Sequence, residues 1–278
     1  VNINTTDSFP LAESPSFNPA ISGWQGAPVP QDYFTLVYKR QGFPCGTYQI
    51  QITNCDDQVQ IFIDDENATT PVYTSPGNIN DNAPVNNVLS SPRVLGKNSK
   101  VEIRLKDYKQ SARLNLNFIK IETDYNGTGT PNSNSSIIIK SNITLNSDLT
   151  VCSCTINDGV TLTVPQNVTL TIDENITIGA GGKLLIQSGG SFLQTTTSKN
   201  MFSGSMEAFE IQRKTQIRRM DLTYWSTPVN NPNFAMKTLS PETLYDKYFY
   251  WSSDFKWTTD LYGGMIMKPT KGYSIRGP

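Results

Sequence analysis

The chain has 278 residues, 23 basic and 24 acidic side chains, and 37% hydrophobic residues. Its net charge of −1 gives no reason to expect a nucleic-acid or anionic-membrane partner. It contains no histidine, which excludes the usual catalytic-triad base and the commonest metal-ligating imidazole but leaves carboxylate chemistry open.

Asn, Thr, Ser, Gly and Pro are abundant, and β-branched and aromatic runs recur, as in an all-β extracellular protein with many turns. Residues 1–20 are polar and Pro-rich and read as an extended arm. From residue 21 to 123, period-two runs follow one another: Tyr33–Tyr38, Tyr48–Ile52, Val59–Ile63, Lys100–Leu105 and Leu114–Ile119. Strands in this number without helices predict a β-sandwich. The Pro- and Asn-rich stretch from Thr69 to Pro92 is expected to be a long loop.

Residues 124–136, Asp-Tyr-Asn-Gly-Thr-Gly-Thr-Pro-Asn-Ser-Asn-Ser-Ser, read as a flexible linker between domains. Over 137–200 a fixed period appears. Val160, Val168, Ile176, Leu184 and Phe192 recur every eight residues, with Leu162, Leu170, Ile178 and Ile186 two residues behind. Polar turn residues separate the repeats, so this region is expected to be a short parallel β-solenoid. Each eight-residue unit is expected to stack on the next, with the ladder pointing inward. Residues 201–278 are β-rich and aromatic, with Ser240-Pro241 as a candidate helix start. Aromatics 245–262 are expected to pack in the core or on a sheet face, the rival reading being a sugar-stacking platform. Arg213, Lys214, Arg218 and Arg219 are expected on a solvated strand face.

Four cysteines, Cys45, Cys55, Cys152 and Cys154, suggest an oxidising compartment. The pairing stays open. If the Cys45–Cys55 segment were one strand its ends would lie about 33 Å apart, while a disulfide needs Cα atoms within about 7 Å. Cys152 and Cys154 alternate onto one face and could bridge locally or each face another partner. The spacing is not a zinc signature. No signal-peptide pattern and no membrane-spanning apolar run occurs. The terminal Gly-Tyr-Ser-Ile-Arg-Gly-Pro reads as a strand cut off in mid-fold, so the chain is expected to be a piece of a longer secreted polypeptide.

Three blocks carry a family resemblance. They are Trp24-Gln-Gly-Ala-Pro-Val-Pro with Phe34–Tyr48 and Asp56-Asp57; Leu149-Thr-Val-Cys-Ser-Cys-Thr-Ile with Gly190-Ser-Phe-Leu-Gln; and Ile211-Gln-Arg-Lys-Thr, Thr223-Tyr-Trp-Ser-Thr-Pro-Val, Lys247-Tyr-Phe and Lys271-Gly-Tyr-Ser-Ile-Arg-Gly-Pro. Together they resemble the C-terminal region of large surface and gliding-motility adhesins of Bacteroidetes (SprB-like) exported by the type IX secretion system. The resemblance implies a secreted, outer-membrane-attached protein whose partners are the type IX secretion and attachment machinery and surface glycans or substratum. The first domain also resembles the lectin-like sandwich of yeast flocculins and protective-antigen-type modules. There, paired aspartates after a strand hold a calcium ion that bridges to sugar hydroxyls. By that resemblance Asp56 and Asp57 are the candidate Ca2+ ligands, with Asp64, Asp65 and oxygens of the 69–92 loop completing the shell. The sequence departs from the pattern at Cys55, where a His is expected, and at Asp64-Asp65-Glu66, where a Gly turn is expected.

The expected function is thus a non-catalytic adhesin segment that needs no cofactor beyond the candidate calcium. Alternatives are a carbohydrate-active accessory or polysaccharide-degrading β-helix protein, and a passive stalk or export-substrate segment. The charge-poor solenoid argues against catalysis. From 142 to 194 its charged residues are Asp148, Asp158, Asp173, Glu174 and Lys183, with no Arg for a uronate and no evident acid/base pair.

Overall fold

The structure, a computed structural model, describes residues 2–4, 33–65, 67, 69–75, 87–88, 91–108, 113–195, 202–218 and 220–278. It is nearly all β, as composition and alternation predict. Of the expected arm, only β1 (Asn2–Asn4) lies within the described residues; it pairs antiparallel with a sandwich strand.

The sandwich is built from β2 (Thr35–Gln41), β3 (Gly46–Asp56), β4 (Gln58–Ile63), β5 (Tyr73–Thr74), β6 (Asn87–Val88), β7 (Arg93–Leu95), β8 (Lys100–Lys106) and β9 (Arg113–Lys120). One sheet runs β1-β9-β3-β6, with β7 also on β3; the other runs β2-β8-β4-β5. Alternation is clean in β8, where Val101, Ile103 and Leu105 are buried between exposed or half-buried neighbours. These residues meet Ile50, Ile52, Val59, Ile61, Leu114 and Leu116 in one core. The stretch expected as an unbroken loop, 69–92, contains β5 and β6 and leads into β7; the rest of it from residue 76 lies outside the described residues, apart from 91 and 92.

The solenoid consists of β10 (Glu122–Asp124), β11 (Ser136–Ile139), β12 (Ile143–Thr144), β13 (Leu149–Val151), β14 (Ser153–Ile156), β15 (Thr161–Val164), β16 (Thr169–Ile172), β17 (Ile176–Ile178), β18 (Lys183–Ile186), β19 (Ser191–Gln194), β20 (Phe202–Ser203) and β21 (Phe209–Ile211). They fall into three parallel sheets, β10-β11-β14-β17-β20, β12-β15-β18-β21 and β13-β16-β19. From β11 onward the chain visits the sheets in strict rotation, which makes a three-sided coil. Leu162 lies beside Leu184, Leu170 beside Phe192 and Cys154 beside Ile176, each pair 22 residues apart.

This corrects the stacking expected from the eight-residue ladder. Two sides with their corners take eight residues each and the third takes six, as from Cys154 to Leu162, Leu170 and Ile176, so three sides make one 22-residue coil and the ladder walks around it instead of up it. The inward direction is as expected: Val160, Val168, Ile176 and Leu184 are buried and Phe192 packs against the same core, as do Leu162, Leu170, Ile178 and Ile186.

The expected linker 124–136 is built into this coil. β9 ends at Lys120 and β10 begins two residues later, paired with β11. The Tyr125 N–H donates to Ile138 O at 2.9 Å, and its ring is buried in the coil core. Gly and Asn here turn the chain; they do not free it. The coil also runs past residue 200 through β20 and β21, and the division into compact units falls between Ile211 and Gln212.

The second unit has β22 (Leu222–Trp225), α1 (Met236–Leu239), β23 (Tyr248–Trp251), β24 (Trp257–Thr259) and β25 (Tyr273–Arg276). Its antiparallel sheet has the order β22-β25-β23-β24. Ser240 ends α1, accepting the C-cap role in place of the predicted N-cap; its N–H donates to Met236 O. Residues 212–218 are not a strand, and Arg213, Lys214 and Arg218 are exposed; Arg219 lies outside the described residues.

Candidate functional site

The carboxylates proposed for calcium are dispersed among backbone amides. Asp57 is buried, and its Oδ2 accepts the Tyr108 N–H at 2.6 Å. Asp64 Oδ1 accepts the Lys100 N–H at 2.7 Å. Asp65 Oδ2 accepts the N–H groups of Thr69 and Thr70, each at 2.8 Å, and so closes its own loop. The Asp56 side chain and the Glu66 position lie outside the described residues. Among the described residues these aspartates do not converge on one point; the one group of three metal-type ligands is Cys45, Cys152 and Glu174. Two of those three sulfur and oxygen donors are the sulfurs of a disulfide, which removes them as thiolate ligands.

That disulfide, Cys45–Cys152, joins the sandwich to a corner of the coil with Cα atoms 5.7 Å apart. Sequence reading left the pairing open and placed Cys152 and Cys154 on one face. Alternation holds only within a strand, and Cys152 sits in the bend between β13 and β14. The corner turns Cys152 toward Cys45, while Cys154, inside β14, enters the coil core. Burial there pushes the Cys154 thiol up to about 12. Cys55 is likewise a buried thiol, in the sandwich core. Polar contacts flank the disulfide: the Cys45 N–H donates to Glu174 Oε1 at 2.6 Å, and Lys120 Nζ lies 3.5 Å from Glu174 Oε2.

Asn142 and three aspartates of the coil also have structural tasks, which sequence reading missed. Asn142 Oδ1 accepts the Thr161 N–H, Asp148 Oδ1 the Thr169 N–H and Asp158 Oδ1 the Ala180 N–H, at 2.8, 2.8 and 2.9 Å. Asp173 Oδ1 accepts the Thr195 hydroxyl at 2.5 Å. Each partner lies 19 to 22 residues on, at the matching corner of the next coil.

In the second unit, alternation divides the aromatics. Tyr248, Tyr273 and Ile275 turn inward onto Met236 and Met267. Tyr224, Trp251 and Trp257 stand on the opposite face, 70%, 41% and 41% exposed. The Tyr224 and Trp257 rings stack with centroids 5.6 Å apart, and Trp251 meets Trp257 edge-on at 5.2 Å. Core packing therefore describes Tyr248 and Tyr250, and sheet-face packing Trp251 and Trp257, while Tyr245, Phe255 and Tyr262 are exposed outside the strands, against the expectation.

No helix among the described residues is long and apolar enough to cross a membrane. A family model described as Domain of unknown function (DUF8693) matches residues 120–278. Neither a curated protein nor a solved structure matches the chain.

Proposed function

The chain belongs to the family of Domain of unknown function (DUF8693), and from that membership and the architecture we propose that it is a non-catalytic segment of a secreted cell-surface adhesin. In this reading the type IX secretion system exports it, it serves attachment or gliding at the outer membrane, and its partners are surface glycans or substratum. The observation that carries the proposal is the Cys45–Cys152 disulfide, which mounts a sandwich on a three-sided coil. Disulfides of this kind persist in oxidising, extracellular surroundings, and a rigid head-on-stalk arrangement suits a protein that bears load. The matched residues span the coil and the aromatic unit and leave nearly all of the sandwich outside, consistent with a shared mount and a separate head. Asp148, Asp158 and Asp173 of the coil are engaged in closing its corners, which weighs against the polysaccharide-degrading alternative.

The test uses beads coated with the oxidised full chain. They are expected to be retained on glycan-coated or native substratum, and free chain should compete with attachment of the cells that make it. Incubation with polygalacturonate, alginate and chitin should leave polymer length unchanged. Cleavage abolished by replacing one carboxylate, or a cytoplasmic location of the native protein, would overturn the proposal.

A further inference from the structure

The outward face of the β2-β8-β4-β5 sheet carries Lys39, Arg104 and Lys106 around Glu102. An open cavity of about 550 Å³ lies on it, lined by Thr35, Lys39, Gln58, Gln60, Arg104 and Lys106 together with Val37 and Glu102. Strand pairing sets the layout. Thr35, Lys106 and Gln58 share one row across three strands, and Val37, Arg104 and Gln60 share the next on the same face. Rows on one face repeat about 6.8 Å apart along a strand, and neighbouring strands are about 4.8 Å apart.

The cations are held in place. Arg104 lies over the buried Phe62 ring at 4.5 Å, and its Nε donates to Glu102 Oε1 at 2.6 Å. Lys39 Nζ pairs with Glu102 Oε2 at 3.0 Å. Burial opposes ionisation of Glu102, but the hydrogen bonds and charges of Arg104 and Lys39 outweigh it and hold the carboxyl below its ordinary range. Glu102 therefore stays anionic and positions both cations. Lys106 Nζ donates to Tyr108 Oη at 3.0 Å and lies 4.4 Å from that ring. Three cations against one carboxylate leave the cavity positive. A guanidinium has five donors in a fork that matches a carboxylate, and the bond to Glu102 engages one nitrogen. The half-buried amides of Gln58 and Gln60 and the Thr35 hydroxyl can each donate and accept, as sugar hydroxyls require.

We propose that this face is a binding site for an acidic polysaccharide of the polyuronate class, with Arg104 and Lys106 taking carboxylates and Gln58 and Gln60 taking hydroxyls. It rests on the adhesin reading and gives that reading a ligand class. A small charged cavity with neutral hydrogen-bonding amides favours a sugar acid over a bare polyanion, which would need no amides. The ligand is non-catalytically held: no acid/base pair faces the cavity, since Glu102 is its sole lining carboxylate.

The experiment is affinity electrophoresis of the oxidised full chain in gels containing polygalacturonate, neutral dextran, dextran sulfate or polyphosphate. Polygalacturonate is expected to retard the native chain and dextran is not. The double variant Arg104→Gln/Lys106→Gln should lose at least tenfold in affinity. Gln58→Ala/Gln60→Ala should lose severalfold without altering the salt dependence. Lys106→Glu alone, an exposed position that leaves Arg104 on Phe62, guards against a folding defect and should also abolish retardation. Arg213→Gln/Lys214→Gln removes the same charge from the second unit and should change nothing. The inference is overturned by no retardation in polygalacturonate, by undiminished retardation of Lys106→Glu, or by dextran sulfate or polyphosphate binding as tightly as polygalacturonate. If Lys106→Glu beads still adhere as native beads do, the site is wrong and the adhesin reading stands; if native beads do not adhere, that reading fails by itself.

Discussion

Cys152 and Cys154 differ by two positions and lead opposite chemical lives. Cys154 in β14 is fully enclosed, so its thiol is raised to about 12 from an ordinary value of 9.0. In the native chain at neutral pH it should resist alkylation by iodoacetamide and react at once in urea. The sign of its pH effect follows from linkage. Below pH 9 both folded and unfolded chains keep the proton, and the thiol's contribution to stability is whole. Between pH 9 and 12 the unfolded chain ionises and the folded chain does not, so stability falls. Urea midpoints at about pH 10.5 should show a loss on the order of 1–2 kcal/mol that Cys154→Val lacks; equal losses in both chains would refute the assignment. Asp57 is buried as well. Its buried carboxylate clamps the Tyr108 amide, and Asp57→Ala is expected to cost about 1–3 kcal/mol, equally with calcium or chelator. A native melting temperature that rises with calcium, and a variant that loses the rise, would restore the metal role that the sequence resemblance assigned. Neither residue's environment could be read from spacing: one depends on a corner, the other on an amide from β8's far end.

At the scale of elements, alternation in β8, β15 and β16 was plain in the sequence, since a period of two directly encodes one buried face. The coil length was not, because the eight-residue period reports sides and only stacking reports turns. Leu184 and Leu193 show what the distinction costs. Leu184 is fully buried beside Leu162, while Leu193, on the adjoining side, is 54% exposed. Leu184→Ala should destabilise by about 2–5 kcal/mol and Leu193→Ala by less than about 0.5 kcal/mol. Corners impose a different demand. A Cβ at Gly190 would sit 2.7 Å from Val164 O and 2.8 Å from Pro165 O of the preceding coil. Both atoms are backbone and cannot swing aside. Gly190→Ala is therefore expected to cost about 1–3 kcal/mol, while Gly96→Ala, whose Cβ would meet nothing within 4 Å, should be tolerated. Chemical denaturation of the four variants measures all of this; a neutral Gly190→Ala would mean the coils can separate at that corner.

For the molecule as a whole, the decisive link is one that no local pattern encodes. Cysteine count indicated disulfide chemistry, but pairing depends on how the sandwich meets the coil, and that geometry arises from β9 running almost directly into β10. The bond spans a sequence separation of 107. In the chain-entropy account a loop of that size is worth roughly 4–5 kcal/mol against the unfolded state. The mechanical consequence is larger. Tension applied at the two termini passes from Cys45 straight to Cys152, so the residues between them, which include β3 to β13, carry no load while the bond is intact. Reduction inserts that hidden length into the load path. At 3.3–3.6 Å per extended residue, it adds about 350–385 Å of contour length to complete unfolding. Single-molecule force spectroscopy on the full chain, tethered at its ends with and without dithiothreitol, reads this increment directly. Cys45→Ala should show the long contour without reductant. If oxidised and reduced chains extend equally, Cys45 and Cys152 are not joined in the protein, and no disulfide links the sandwich to the coil.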